Sequence, residues 1–527
     1  MHLVIPHCLR TAGQVLAVGL LVHSACAQQQ PAVQQFKLQP PYGQVRFSSS
    51  DQRLVDGYNW AKTQALAYIF TGDPVGNWYE AALPDRSAFC MRDVSHQSIG
   101  AQVLGLAEFN RNMLRKFAGS IAESRGWAAY WEIDKFDEPA PVDYKNDREF
   151  WFNLPANFDV LNTCYQAYQW TGDNTYLNDS VFLNFYRRTL RDYIRKWDKE
   201  GNGIPESYPE YGHRGIASYN EDSHLHIKVG SDLVAAEFAA YLASSAISRL
   251  RGDLTESIRS TQKARVLRQR FEETWWNAKW GVFYSALLTD GRMYFDSSSA
   301  LFPLWFGLIA PGPKLEQELD MLTRLTAPSA NRDEQYGRQD KQPQFEDLES
   351  HLRLPGVEEM SYIPEIAYRY GRNDSAYSAL LSLTDPELKR REYPEVSFSV
   401  IRTIAVGLMG IAPDASKRTV KTVSHLTKET EWADLENVPV FGNLITVSHL
   451  GLEQTTLRNQ SGAPIQWQAA FPGSFTTLIL DDRAVKARLK QNAAAAPESF
   501  IIVNLEPGQQ KTVRSRPAIR SGSNTVK

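Results

Sequence analysis

Four helix-ending signals of one type divide the central part of this chain and constrain its fold more than any other feature. Each follows an apolar helical stretch with Gly and, within three residues, Asp. Gly takes the left-handed backbone that ends a helix, and Asp starts a turn or caps the next helix. The signals are Thr71-Gly72-Asp73, Thr171-Gly172-Asp173, Arg251-Gly252-Asp253 and Gly371-Arg372-Asn373-Asp374. Their Asp residues lie 80 to 121 residues apart, and this uneven repeat predicts helical hairpins rather than a strict solenoid.

The spacing of apolar residues changes near residue 420. Before that point they recur at helical spacing, and after it short β-rich runs are bounded by Gly, Pro and Asn. We therefore expect a mainly α fold, with a closed ring of helical hairpins over 55–420 and a small C-terminal β-sandwich over 421–515. An N-terminal extension, 28–54, and a flexible tail, 516–527, are expected to flank them.

Residues 1–27 have the form of a secretory signal peptide. An apolar stretch follows Arg10, and small residues before the end at Ala27 fit a cleavage site. We expect a secreted or periplasmic protein with no membrane span in the mature chain. Cys90 and Cys164 then remain, either joined in a disulfide or as two buried thiols.

Composition and missing motifs exclude several functions. The formal net charge is -3 over 527 residues, so the chain carries no overall basic signature of a nucleic-acid partner. It contains no P-loop, no dinucleotide fingerprint, no H-E-x-x-H and no G-x-S-x-G sequence. We expect no cofactor and no metal.

Carboxylates and aromatic residues are concentrated in the helical part, where 11 of the 13 Trp lie between Trp60 and Trp305. Aromatic faces stack on the C–H face of a pyranose, and carboxylates bind sugar hydroxyls. A carboxyl in a partly apolar pocket also keeps its proton near neutral pH, as sugar hydrolysis requires. This combination favours a carbohydrate substrate, although any single Trp is equally explained by packing between helices.

Several short motifs follow one another in a characteristic order. They are Ser87-Ala88-Phe89-Cys90-Met91-Arg92-Asp93, Glu149-Phe150-Trp151-Phe152-Asn153-Leu154-Pro155-Ala156-Asn157, Trp197-Asp198-Lys199-Glu200-Gly201-Asn202-Gly203-Ile204-Pro205-Glu206 and Ala405-Val406-Gly407-Leu408-Met409-Gly410-Ile411-Ala412-Pro413-Asp414. Their order resembles that of the six-hairpin glycosidases, the (α/α)6-barrel superfamily of trehalases, α-glucosidases and bacterial α-L-rhamnosidases. The resemblance extends over about residues 58–450 and implies an (α/α)6 toroid.

The resemblance also implies an acid and a base. Most members of the superfamily cleave with inversion, using a carboxylic acid and a carboxylate roughly 6.5–9.5 Å apart. The implied acid is Asp222, with Glu221 as the second choice, because the acid in several members follows the "GIPE" turn. The implied base is Glu395, with Glu392 second, because both precede the last inner helix. The chain departs from rhamnosidases by lacking their acidic "RDE" triplet, since Val94 follows Arg92-Asp93.

Ten further residues are candidates for binding the substrate. Each has a structural alternative: an ion pair for Arg92-Asp93, helix capping for Asn157 and Asp159, and a solvated helix start for Glu358-Glu359. The candidates are Arg92, Asp93, His96, Trp151, Asn153, Asn157, Asp159, His224, Glu358 and Glu359.

Two rival functions remain open. A polysaccharide lyase would use His and Tyr to remove a proton beside a uronate, and Asp222, His224 and His226 have a spacing that suits a metal. A glycan-binding protein without activity would need the aromatic residues but not the carboxylates. Abundant carboxylates argue against a protein that only binds glycans. Together with the resemblance to six-hairpin glycosidases, which implies inversion, they lead us to expect an exo-acting, inverting glycoside hydrolase whose partner is a plant or microbial carbohydrate.

Overall fold

The computed structural model describes residues 42–221, 225–297, 299–326, 356–491 and 496–515. Helices dominate as far as residue 408. They are α1 (Gln52–Ala67), α2 (Met91–Val103), α3 (Ala107–Ser120), α4 (Ala156–Thr171), α5 (Thr175–Asn178), α6 (Ser180–Arg187), α7 (Ile194–Trp197), α8 (Ser231–Leu250), α9 (Leu254–Thr274), α10 (Leu301–Trp305), α11 (Pro313–Thr326), α12 (Val357–Met360), α13 (Ile363–Arg369), α14 (Asn373–Thr384) and α15 (Pro394–Arg402). Arg188–Tyr193 and Thr403–Leu408 are π-helical, and the second continues α15. Glu123–Arg125, Pro209–Gly215 and Ala415–Lys417 are 3-10 turns.

Contacts between helices run in a closed circuit. α2 packs against α4, α4 against α8, α8 against α10 and α10 against α13. α13 packs against the π-helical continuation of α15, and α15 packs against α2. α1, α3, α9, α11 and α14 pack against members of this circuit.

Burial distinguishes the circuit from the helices packed on it. In α2 every residue except Arg92 is buried, whereas α9 buries one stripe at helical spacing that includes Ala264, Leu267 and Phe271. A helix that is buried on most sides packs against neighbours on most sides. The amphipathic α9 therefore has a solvent face and a core face.

α8 is apolar over most of its length. Of the described helices it is the one with the length and composition to cross a membrane, with a mean hydropathy of 1.2. The sequence prediction of no membrane span did not take this stretch, Ser231–Leu250, into account. However, 72% of its apolar window is buried inside the protein, as expected for a core helix.

The predicted glycine turns are confirmed. Gly72, Gly172, Gly252 and Gly371 all have positive φ, between 70° and 88°. Gly172 caps α4 directly and donates its N–H to the Tyr168 carbonyl. The first signal differs in one respect, because α1 ends at Ala67 and a short strand separates it from Gly72.

Strands are more numerous than predicted, and about 44% of the described residues are helical and 23% lie in strands. The strands before residue 300 are β1 (Arg46–Ser49), β2 (Ile69–Phe70), β3 (Trp78–Tyr79), β4 (Ala88–Cys90), β5 (Glu132–Asp134), β6 (Tyr144–Asn146), β7 (Glu149–Phe150), β8 (Ile227–Gly230), β9 (Trp276–Asn277), β10 (Val282–Phe283), β11 (Ala286–Leu288) and β12 (Met293–Tyr294). Apart from β1 they form small two- and three-stranded sheets in the loops between helices. Periodicity over two or three residues is too short to predict them.

The C-terminal strands form two larger sheets. They are β13 (Ala412–Asp414), β14 (Thr419–Val423), β15 (Trp432–Val440), β16 (Asn443–Leu450), β17 (Gln454–Ser461), β18 (Ile465–Pro472), β19 (Thr477–Leu480), β20 (Arg483–Lys486), β21 (Arg488–Lys490), β22 (Glu498–Leu505) and β23 (Gln510–Arg514). One sheet has the order β1-β15-β16-β17-β23-β19-β20 and the other β13-β14-β18-β22-β21. β1 lies within the predicted N-terminal extension and pairs with β15, with Phe47 opposite Leu435.

Both cysteines are free. Cys90 and Cys164 are buried as separate thiols, which is the second of the two alternatives left open by the sequence. Burial raises the pKa of Cys164 to about 12, so this thiol stays protonated at neutral pH.

A close approach between α2 and α15 gives a test of the helix circuit. A Cβ added at Gly100 would lie 2.2 Å from the backbone oxygen of Phe398, whereas one at Gly119 in α3 would meet nothing nearer than 3.6 Å. We expect Gly100→Ala to lower the free energy of unfolding by about 1–3 kcal/mol through overpacking. Gly119→Ala is the matched control and should gain up to about 1 kcal/mol of helix propensity. Equal midpoints for both variants in urea unfolding would contradict the packing of α2 on α15.

Candidate active site

The start of α2 carries the central charge of the site. β4 leads directly into α2 and pairs with β5, so that Cys90 lies opposite Glu132. This hairpin fixes Arg92 and Asp93 in the first turn of the helix. The Arg92 side chain retains 22% of its exposure, whereas that of Asp93 retains 3%.

Arg92 joins two parts of the chain. Its Nη1 donates to Glu221 Oε1 at 2.6 Å, and its Nε lies 3.4 Å from Asp93 Oδ1. The guanidinium carbon also lies 5.9 Å from the ring centre of Trp131 and 6.0 Å from that of Tyr219. The aromatic rings reduce access of water, which strengthens the ion pair.

The turn that carries Glu221 is tied to the start of α8. Asp232, in the first turn of that helix, accepts hydrogen bonds from Ser218 Oγ, from the Tyr219 N–H and from the Leu233 N–H, all at 2.7 Å. Burial raises the pKa of Asp232 to about 7. The turn is therefore held by backbone as well as by the Arg92–Glu221 ion pair.

Glu395 is a buried carboxyl whose pKa is raised. It lies in the first turn of α15 and is 4% exposed. Burial raises its pKa well above the ordinary value, and the negative charges of Asp93 and Glu358 add to the shift while Arg92 opposes it. Burial likewise raises the pKa of Glu359 to about 7, with Glu358 adding to the shift.

The pKa of Asp93 is shifted in the opposite direction. Burial alone would raise its pKa, but Arg92, Cys90 and Arg86 outweigh burial and hold the pKa below its usual value. The region around Arg92 therefore contains one carboxyl group whose pKa is lowered, Asp93, and one whose pKa is raised, Glu395. This pairing is the one that acid–base hydrolysis of a glycoside uses.

A buried chain of polar groups extends from this cluster across the helix circuit. His96 Nδ1 lies 2.7 Å from the hydroxyl of Tyr362, and His96 Nε2 lies 3.5 Å from Asp159 Oδ1. The Tyr219 hydroxyl donates to the same Asp159 oxygen at 2.6 Å. The Tyr362 pKa is raised by burial and then by Glu395. This chain of polar groups thus connects the environment of Glu395 with the turn that carries Glu221.

The candidate residues Trp151, Asn153 and Asn157 contact different parts of the structure. Asn153 donates to the Ser218 carbonyl at 2.6 Å and lies 3.4 Å from Glu221 Oε1, so it supports the Glu221 turn. Asn157 instead donates to the Trp127 carbonyl at 2.9 Å. Trp151 packs on Trp131, with ring centres 4.4 Å apart.

The structure brings together most of the predicted site residues. Arg92, Asp93, Glu221, Glu359 and Glu395 form the cluster, and the polar chain joins His96 and Asp159 to it. Glu358 lies at its edge, where it pairs with Arg390 at 3.1 Å. Asn157 holds a loop, and Trp151 lies against the neighbouring hairpin.

Three predicted residues lie away from the cluster or outside the described residues. Glu392 is on an exposed turn, where its backbone oxygen accepts a hydrogen bond from Gln64. Asp222 and His224 lie outside the described residues. Within the described residues, no group of three His, Cys, Asp or Glu side chains is arranged to hold a metal ion.

Sequence reasoning missed Tyr219, Tyr362 and Trp131. Tyr219 lies two residues before Glu221, and Tyr362 lies one helical turn after Glu358-Glu359. Their proximity to candidate carboxylates was a usable signal for both. Trp131 gives no such signal, because the β4–β5 hairpin brings it to Arg92 from far along the chain.

Known structures share this architecture, although the chain matches no protein-family model and no curated protein. An α-L-rhamnosidase from Dictyoglumus thermophilum is 14% identical, with a TM-score of 0.58 over 89% of this chain and 50% of that chain. The α-L-rhamnosidase from Streptomyces avermitilis, complexed with L-rhamnose, is 12% identical, with a TM-score of 0.53 over 90% and 42%. A putative kojibiose phosphorylase from human microbiome is 8% identical, with a TM-score of 0.50 over 88% and 63%.

These likenesses define the fold class, which is a helical domain with a β domain as found in glycosidase-like enzymes. This chain spans about half the length, or less, of the rhamnosidases that it matches. Because a phosphorylase shares the fold, the fold alone does not select a reaction, which depends on the side chains of the site.

The protonation of Glu395 gives a pH-dependent prediction. A carboxyl whose pKa is higher in the folded state stabilises the protein below its unfolded pKa, and this contribution is lost as pH rises. The Glu395→Gln variant has no carboxyl at this position, so its stability lacks this dependence on pH. Relative to that variant, we expect wild type to lose up to about 1.4 kcal/mol of unfolding free energy per pH unit above about pH 4.5.

The measurement is urea unfolding of both proteins at about pH 5 and about pH 8. The control variant is Glu273→Gln, which makes the same substitution at an exposed side chain that accepts a hydrogen bond from Gln269. A stability difference for Glu395→Gln that stays constant between the two conditions would show that Glu395 is ionised in the folded protein.

Proposed function

We propose that the protein is an exo-acting glycoside hydrolase that inverts the anomeric configuration. The observation that supports this most directly is that Glu395, whose pKa is raised, is influenced by the same Arg92 that contacts the carboxylates of Asp93 and Glu221. Acid–base hydrolysis needs one carboxyl of each kind. It needs no cofactor, and the proposal includes none.

We further propose that the helices form an (α/α)6 toroid over 55–420, followed by a β-sandwich over 421–515. The closed circuit through α2, α4, α8, α10, α13 and α15 supports six inner helices. In this arrangement Arg92 and Glu395 both lie in the first turn of an inner helix. The site would then open at the end of the toroid where these helices begin.

The pKa directions favour an exchange of the acid and base roles assigned from the sequence. Glu395 holds a proton and is proposed to donate it to the oxygen of the leaving group. The carboxylate at Glu221, or that of the adjacent Asp222, is proposed to take a proton from the attacking water. The C–O bond breaks as the water oxygen bonds to the anomeric carbon from the opposite face. The products are a free sugar of inverted configuration and an alcohol.

The substrate is proposed to be a neutral glycan, with terminal α-L-rhamnosides as the first to test. The named rhamnosidases share the fold. The acidic cluster repels a uronate, because Arg92 is already paired with Glu221 and Arg86 with Glu132. Like charges brought together in a buried site are strongly unfavourable.

A polysaccharide lyase is the second candidate function. The 2.7 Å contact between His96 Nδ1 and the Tyr362 hydroxyl favours it, because such a pair can remove a proton beside a uronate. Both side chains are at most 7% exposed, which places them away from solvent. A lyase would generate an unsaturated product that absorbs ultraviolet light, whereas a hydrolase would release only reducing ends.

We also propose that the protein is exported. This rests on the signal-like sequence of residues 1–27, which lies outside the described residues. Mass spectrometry of the N-terminus after expression with residues 1–27 present would identify the cleavage site.

The roles of Glu395 and Glu221 are separable by the leaving group of the substrate. A good aryl leaving group needs little protonation, so loss of the acid matters less for it. For Glu395→Gln we expect kcat/KM to fall about 10²–10⁴-fold on a rhamnosyl disaccharide but far less on an activated aryl rhamnoside. Glu221→Gln should lower kcat/KM on both substrates.

The control for this pair is again Glu273→Gln, which should leave both rates unchanged. A reversed pattern, with Glu221→Gln sensitive to the leaving group, would return the acid role to the turn at 221–222. Wild-type turnover in both Glu395→Gln and Glu221→Gln would remove the Arg92 cluster from the mechanism.

A further inference from the structure

The five-stranded sheet has one exposed face whose residues are aligned across its strands. Gln466 of β18 lies opposite Asn504 of β22, and Gln468 lies opposite Ile502. Side chains at alternate positions share a face, so these residues lie on one side. Trp467, which falls between the two glutamines, points into the core and is 0% exposed.

The edge strand β21 extends this face. Arg488 is opposite Phe500 of β22, and Lys490 is opposite Glu498. Phe500 in turn is opposite Ala470, in the same set of alternate positions as Gln466 and Gln468. Arg488 and Lys490 therefore project from the same side as the amide side chains, about 7 Å apart along the strand.

The chemistry of this face suits a sugar chain. Side-chain amides offer two donors and one acceptor oxygen, which match the mixed donor and acceptor character of sugar hydroxyls. Gln466 and Asn504 are exposed, and Ile502 is 38% exposed. Phe500 is half-buried and supplies an apolar surface next to them.

The charge of this face selects among sugar chains. Arg488 and Lys490 are both exposed, and within the described part of the chain neither forms an ion pair. The acidic Glu498 beside them is paired with Lys421 at 2.5 Å. Two free cations on a protein of net charge -3 produce a local positive potential that complements carboxylates.

We propose that the exposed face formed by Gln466, Gln468, Arg488, Lys490, Ile502 and Asn504 binds an acidic, uronate-bearing polysaccharide. The surface is separate from the Arg92 cluster, and binding here does not require the proposed hydrolysis. It would hold the enzyme on a charged glycan matrix while the acidic active site takes a neutral chain end. Among these six residues, Ile502 is the exposed apolar side chain. Its apolar surface is too small for insertion into a lipid surface.

Affinity electrophoresis of the full chain in native gels tests this directly. Polygalacturonate in the gel should retard the protein, and a neutral galactan should not. The double variant Arg488→Ser/Lys490→Ser should raise the dissociation constant about tenfold. Because two ionic contacts are lost, the dissociation constant should also depend less on salt. The triple variant Gln466→Ala/Gln468→Ala/Asn504→Ala should raise the dissociation constant and leave its salt dependence unchanged.

The matched control removes two cations from an outer helix instead. Lys263→Ser/Arg265→Ser changes exposed residues of α9 and should keep wild-type retardation. Equal retardation of all variants, or retardation of none by polygalacturonate, would overturn the proposal. Equal binding to vesicles of anionic phospholipid or to duplex DNA would also overturn it, because the amides would then have no role. Since binding is measured without turnover, its failure is independent of failure of the hydrolase proposal.

Discussion

The ion pair between Arg92 and Glu221 is the interaction on which the rest of the site depends. It joins the first turn of α2 to a turn that lies 129 residues further along the chain. Removing either side chain would break this link between α2 and the turn. Asp232 and Asn153 hold the same turn through Ser218 and Tyr219. The position of Glu221 is therefore set by several elements of the fold.

The site is assembled at a cost in stability. Glu395 is buried among carboxyl groups, and the described structure contains buried side-chain oxygens with no hydrogen-bond partner, including those of Glu80, Asn153 and Asp159. Each such group destabilises the fold by about 1–3 kcal/mol unless water or a ligand satisfies it. Strain of this kind is characteristic of functional sites.

The sequence was sufficient for the features that depend on local signals. The glycine turns, the helical region and the change to strands near residue 420 follow from backbone preference and periodicity. Arg92, Asp93 and Glu395 were found because they lie in motifs with a resemblance to a known superfamily. Tyr362 was missed because its contact with His96 spans 266 residues, and no local pattern encodes such a distance. The raised pKa of Glu395 was also not predictable, because it depends on burial and on the charges that the fold brings near it.

The central claim is that a protonated Glu395 and a carboxylate on the turn at 221–222 act from opposite faces of the sugar. The configuration of the first product tests this most directly. Proton NMR of a rhamnosyl oligosaccharide, recorded within the first turnovers and before mutarotation, identifies the nascent anomer. The account predicts that the anomer released is inverted relative to the substrate. Release of the retained anomer would mean a covalent intermediate and two closely spaced carboxylates, and would contradict the assignment.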